Sequence, residues 1–148
     1  MVTGQLPGNV GKTEFEADAF TDVFTRHVID CEEMTDAVAR IPVPMGAVVL
    51  GVRAIVTESI ATATTCKVGD LADDDGFLTA AAFTPLTAGA MVDSRLLAGA
   101  YKAGKAYLSA TGQLTATFDV QPTNGKIELD VHFRGYSPVE RNEVPHRG

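Results

Sequence analysis

The sequence predicts a small antiparallel all-β domain, and three observations point there. Ile127-Glu128-Leu129-Asp130-Val131-His132-Phe133-Arg134 puts apolar side chains at one parity and polar or charged ones at the other. Strand side chains alternate with period two, so this segment has one face on a core and one in water. Similar short runs recur along the chain, separated by Gly, Asp, Asn and Pro turns. The 14 glycines and the many threonines favour turns and strands over long helices.

At 148 residues the chain fits one domain. A chain of this size buries roughly 68–70% of its extended surface on folding, enough for a core without staples. A net charge of −7 and a pI of about 4.8 argue against binding a phosphate backbone. The apolar run Met45 to Val56 is too short to span a bilayer and is broken by Gly51 and Arg53. The N-terminus lacks the basic and apolar stretches of a targeting segment, so the expectation is a chain used in a cytoplasm or in a particle assembled there.

Residues 1–22 read as an N-terminal arm punctuated by Gly4, Pro7, Gly8 and Gly11, with Phe15 and Phe20 as isolated apolar anchors. Such an arm can lie across a neighbouring subunit; the alternative is a frayed terminus with one strand. A β domain is expected over residues 23–134 and a tail over 135–148. Val23 to Cys31 reads as a strand contacted on both faces or at an edge. Ala37 to Val43 reads as an edge strand or strand end, because Pro42 cannot donate to a ladder. Val48 to Thr57 is the longest expected strand, with Val48, Leu50, Val52, Ala54 and Val56 on one face. Thr64 to Gly69 is a shorter strand.

Residues Leu78 to Gly99 read as a long connection with one short helical turn, at Ala80–Phe83 or Ser94–Leu97. Lys105 to Ala110 is expected as a strand and Thr111-Gly112 as a turn. The run Leu114 to Val120 and the strand from Ile127 to Arg134 are expected to form a hairpin. Its turn is Pro122-Thr123-Asn124-Gly125, where Asn-Gly supplies positive φ.

Few residues invite chemistry. The turn after Gly69 is acidic, with Asp70 and the run Asp73-Asp74-Asp75-Gly76. It reads as a solvated turn with Gly76 at a positive-φ position. The alternatives are weak calcium binding by Asp73 and Asp75, or a salt bridge from Asp73, Asp74 and Asp75 to a basic partner. No closing Glu follows at EF-hand spacing. Cys31 and Cys66 fit no CxxC or zinc pattern and read as buried reduced thiols, with a disulfide between neighbouring strands as the alternative. His27, His132 and His146 form no catalytic spacing with Ser, Cys or Asp. Gly99-Ala100-Tyr101-Lys102-Ala103-Gly104-Lys105 lacks the phosphate-loop spacing and reads as a turn, with Tyr101, Tyr107 and nearby lysines as a candidate contact surface. No enzyme, cofactor or metal is expected.

The order of these features resembles a known family. Ile41-Pro42-Val43-Pro44-Met45-Gly46-Ala47-Val48 is followed by Val68-Gly69-Asp70 and Asp75-Gly76-Phe77-Leu78. Then come Ala103-Gly104-Lys105-Ala106-Tyr107, Leu114-Thr115-Ala116-Thr117-Phe118, and Thr123-Asn124-Gly125-Lys126-Ile127 leading into Val131-His132-Phe133. In serial order this is similar to the head decoration, or cement, proteins of tailed bacteriophages, over about Arg40 to Arg134. The resemblance implies a jelly-roll type antiparallel β-sandwich on the outer capsid surface of a virion assembled in the host cytoplasm. It further implies the major capsid protein as partner, a homodimer or homotrimer, and no catalytic residues. Another virion component of tail or neck, or a carbohydrate-binding β-sandwich, are the alternative functions.

Overall fold

The computed structural model describes residues 20–107 and 112–136. The strands in chain order are β1 (Phe20–Asp30), β2 (Val38–Val43), β3 (Ala47–Glu58), β4 (Cys66–Asp70), β5 (Met91–Asp93), β6 (Lys105–Tyr107), β7 (Gly112–Phe118) and β8 (Lys126–Tyr136). Single 3-10 turns at Cys31–Glu33 and Ser94–Leu96 follow β1 and β5. Strand β1 starts at Phe20 and β8 reaches Tyr136, so the ladder extends past the 23–134 span read from the sequence. Phe15 lies outside the described residues, as do the expected arm up to residue 19 and most of the tail.

The strands form two antiparallel sheets, a β-sandwich as the sequence predicts. The larger has the order β1-β8-β3, and the far edge of β3 carries β6 beside Ala47–Val49 and β5 beside Arg53–Ile55. The smaller has the order β2-β7-β4, extended by one bridge between Val68 and Leu78. The chain passes between sheets at most steps, which places the first four strands alternately in the two layers. Inward faces of both layers meet in one core. Ile127, Leu129 and Val131 of β8 lie with Val52, Ala54 and Val56 of β3 on one side. Ile41, Val43, Val68, Leu114, Ala116 and Phe118 supply the other.

The hairpin of β7 and β8 does not exist. Strand β7 pairs with β2 and β4, whereas β8 pairs with β1 and β3 in the other sheet. Gly125 does take positive φ (+98°), but its turn carries the chain across the sandwich. Just past the β4–β7 ladder the Asp119 carboxylate accepts from the backbone N–H of Thr64 (2.9 Å) and Thr65 (3.2 Å). Asn124 Oδ1 accepts from Ala61 N, which ties the turn to the segment after β3. Two alternating strands and an Asn-Gly turn are thus compatible with partners in different layers.

Strand β3 departs from a regular ladder with β8 at two points, between Val49 and Gly51 and between Val56 and Glu58, and the first changes which residues face the core. A β-bulge between Val49 and Gly51 inserts Leu50 into the ladder with β8. Beyond it Val52, Ala54 and Val56 face the core as expected, but before it Ala47 and Val49 do, in place of Val48 and Leu50. An extra residue in one strand shifts its faces by one position. The N–H of Val52, just past the bulge, donates to the buried Ser94 Oγ (2.9 Å).

The connection from Leu78 to Gly99 is less open than its composition suggests. It holds β5, and Leu78, Phe83 and Leu86 insert into the core. Gly112, expected in a turn, opens β7. Cys31 and Cys66 are free and buried. Burial, and then the charge of Asp30, push the Cys31 thiol up to about 11; burial raises Cys66 further. Both thiols are therefore protonated and unreactive at neutral pH.

One buried polar atom lacks a partner on the smaller sheet. Thr115 is 3% exposed and its Oγ1 makes no hydrogen bond. It pairs with Gly69 on β4, against which the Asp73 carbonyl packs. An unsatisfied buried hydroxyl costs about 1–3 kcal/mol. Thr115→Val, which keeps the shape, is expected to leave the melting temperature unchanged or raise it by about 2–4 °C. A fall of several degrees in a thermal melt would show that this hydroxyl is bonded.

Candidate functional site

The acidic turn is the feature the sequence singles out, and its anchor is Asp70. Cys66, Val68 and Asp70 share one face of β4, so alternation aims Asp70 into the end of the core, where its side chain is 6% exposed. Its carboxylate accepts from Lys105 Nζ (2.7 Å), Tyr107 Oη (2.7 Å), Tyr101 Oη (3.1 Å), and the backbone N–H groups of Ala72 (3.0 Å) and Asp73 (2.9 Å). Burial pushes this carboxyl up, but the donors from Lys105, Tyr107 and the Asp73 backbone outweigh it and hold it below the ordinary 3.8. Lys105 Nζ lies 4.6 Å from the Tyr101 ring centroid and 5.4 Å from that of Tyr107, a cation between two aromatic faces. Tyr101 and Tyr107 are therefore inward-facing partners of a buried carboxylate and not the contact surface expected of them.

The rest of the turn is built on that anchor. Asp70 N donates back to the Asp73 carbonyl (2.9 Å), and Phe77 N returns to Val68 O (2.9 Å). Gly76 is buried and does not take positive φ; the Tyr101 ring packs where a side chain would stand. Gly76 is thus packed against the sandwich, whereas Leu71, Ala72 and Asp74 of the turn are exposed to water as expected. Asp73, Asp74 and Asp75 bring their carboxylates within 4.8 Å of one another. Lys67 Nζ binds Asp74 at 2.9 Å. Asp75 is held above the ordinary carboxylate value by its hydrogen bond with Asp73, then by burial and by the charges of Asp73 and Asp74. Three crowded acids with one lysine can share a proton, draw a cation or meet a basic surface.

The outer face of the larger sheet carries a second constellation that sequence reading does not assemble. Arg26, Asp130, Arg53 and Asp93 are cross-strand neighbours on β1, β8, β3 and β5. Arg26 Nε donates to Asp130 Oδ1 (3.1 Å), and Arg53 Nη2 to Asp130 Oδ2 (2.8 Å). Burial raises Asp130, and the two guanidinium groups more than reverse it, so the group is held below its ordinary value. Next to this row Phe24 stacks on His132 (centroids 4.2 Å apart, planes 14° apart). The Arg95 side chain lies across Gly51 and reaches His132 Nδ1 at 3.3 Å. Asp22 is bound by Arg134 at 2.7 Å. Among the described residues no Ser, His and Asp, or Cys and His, come together in a nucleophilic arrangement. Phe20 opens β1 opposite Tyr136, away from the acidic turn on β4.

No protein-family model and no curated protein matches this sequence. Solved structures do match this chain. A chain of the cyanophage Pam1 capsid asymmetric unit superposes with a TM-score of 0.51 at 16% identity, covering 78% of this chain and 84% of that one. A chain of the acid-stable capsid of Helicobacter pylori bacteriophage KHP30 matches with a TM-score of 0.46 at 19% identity, covering 80% and 94%. This chain shares its fold with the Pam1 chain.

The two parts of the acidic segment should separate on substitution. Asp70→Asn leaves the Lys105 ammonium without its carboxylate and is expected to cost about 3 kcal/mol in denaturant unfolding. Replacing Asp73, Asp74 and Asp75 together with Asn should leave the fold intact, with a change within about 1 kcal/mol. Asp70, Asp93, Asp119 and Asp130 are all held below their unfolded value of 3.8. Their stabilisation is complete above that value and is lost as pH falls through the lower folded values. Melting temperatures should therefore fall below about pH 4, and less steeply in Asp70→Asn.

Proposed function

We propose that this protein is a structural component of a bacteriophage virion. In this reading it binds the outer surface of the capsid and stabilises contacts between major capsid subunits. The observation that carries the reading is the fold shared with a chain of the Pam1 capsid asymmetric unit, over 84% of that chain. The serial order of turn and strand motifs along Arg40 to Arg134 supports it independently. So does the chemistry at Asp70 and Asp130, whose carboxylates are bound by internal donors and serve the packing of the sandwich.

A protein that binds an assembled lattice and not its free subunits stabilises the lattice by mass action. The experiment is co-sedimentation of the purified chain with expanded heads that lack it, followed by heating with and without it. Saturable binding in proportion to the lattice, with heads that survive to higher temperature, is expected. Equal binding to free capsid protein would contradict the cement role, and label confined to one vertex in electron micrographs would move the assignment to the tail or neck.

A further inference from the structure

We propose that β1 is a dimer interface: a second copy of this chain adds its own β1 antiparallel to it, in the register that sets Phe24 opposite the partner's Phe24. Strand β1 is 11 residues long, contains no proline, and among the described residues is paired only on its β8 side. Long edges template pairing with another chain and are ordinarily blunted by proline, bulges, shortness or charges; on β1 the charges are of both signs and can pair across a two-fold. The β1–β8 register runs without a bulge from Phe20 to Asp30. On its outer face stand Asp22, Phe24, Arg26 and Val28, with Phe24 68% and Val28 58% exposed.

That order of side chains is self-complementary under one two-fold axis. About Phe24, Asp22 falls opposite the partner's Arg26 and Arg26 opposite the partner's Asp22. Neighbouring registers fail. Centring on Thr25 sets Phe24 against the partner's Arg26 and Asp22 against the partner's Val28. Centring on Arg26 sets that guanidinium against its own copy and Asp22 against the partner's Asp30. Directly opposed like charges are destabilising, and opposite charges and aromatic pairs are stabilising.

The same register also continues what is already on the sheet. The row Asp93, Arg53, Asp130, Arg26 alternates in sign across four strands. The partner's Asp22 and then the partner's Arg134 would carry the alternation on, since Asp22 and Arg134 are paired in each chain at 2.7 Å. The stack of Phe24 on His132 would meet its own image. The inner-facing Val23, Thr25 and His27 are half-buried, as at a sheet that continues past its edge. Main-chain hydrogen bonds would supply affinity and the side-chain pairs the register.

The proposal is read on the purified full chain and does not depend on the virion assignment. Sedimentation equilibrium should give twice the 15.6 kDa chain mass. Under oxidation Phe24→Cys should cross-link into a covalent dimer, because the two-fold axis places it against itself. Val28→Cys should not, since its symmetry mate is eight residues away along the ladder, about 27 Å. Cys31 and Cys66 are buried and do not compete. Arg26→Glu should raise the dimer dissociation constant by about tenfold or more. Arg53→Gln removes the other guanidinium from Asp130 without touching the edge and should leave dimerisation unchanged. A native chain that stays monomeric to about 100 µM would overturn the proposal. So would a dimer in which Val28→Cys cross-links and Phe24→Cys does not, or one indifferent to Arg26→Glu.

Discussion

The carboxylate of Asp130 sits between Arg26 of β1 and Arg53 of β3, and both bonds run between residues directly opposite one another in the ladders. A one-residue slip of β1 or β3 would turn its arginine inward, and a slip of β8 would do the same to Asp130. A slip of β8 would also bring Ile127, Leu129 and Val131 out to water. The hydrophobic pattern and the ion pairs therefore specify the same register from opposite sides of the sheet. Each exposed pair contributes little by itself. Their value here lies in penalising alternatives, and the placement of the core residues, the edges and the outer face follows from the register they share.

Asp70 performs a related task for the other layer. It belongs to β4 of the smaller sheet, and its donors Lys105 and Tyr107 belong to β6 of the larger one. The carboxylate thus closes one end of the sandwich by joining the sheets through polar contacts, where apolar packing would give out at the solvent boundary. Five donors around one carboxylate satisfy it, which is the condition for burying a charge without a large penalty.

Strand β8 and its two faces are legible in the sequence because a half-buried strand writes its burial directly into residue order. The sheet in which a strand is paired is not written that way. Asn124-Gly125 encodes a reversal, but the partners that fix β7 in the smaller sheet are distant in sequence: Asp119, just past β7, accepts from Thr64 and Thr65, 54 to 55 residues away. The parity of β3 hides for a different reason: Val48, Val49 and Leu50 are all apolar, so hydrophobicity cannot mark where the bulge falls. Asp70 was within reach of the same alternation that identifies β4, since it stands two residues beyond Val68. Grouping it by charge with Asp73, Asp74 and Asp75 obscures its inward direction. The row across β1, β8, β3 and β5 needs the strand order before its members can be seen as neighbours.

The pairing of Phe20 with Tyr136 has a mechanical consequence. The first described residue of β1 and the last of β8 are partners at one end of a single antiparallel ladder. Tension applied at these two points would open that ladder like a zipper, one hydrogen-bonded pair at a time, and would not load its bonds together in shear. Peeling is the weak direction of a β-sheet. Force carried through the faces or along a sheet edge would instead be spread over many pairs at once.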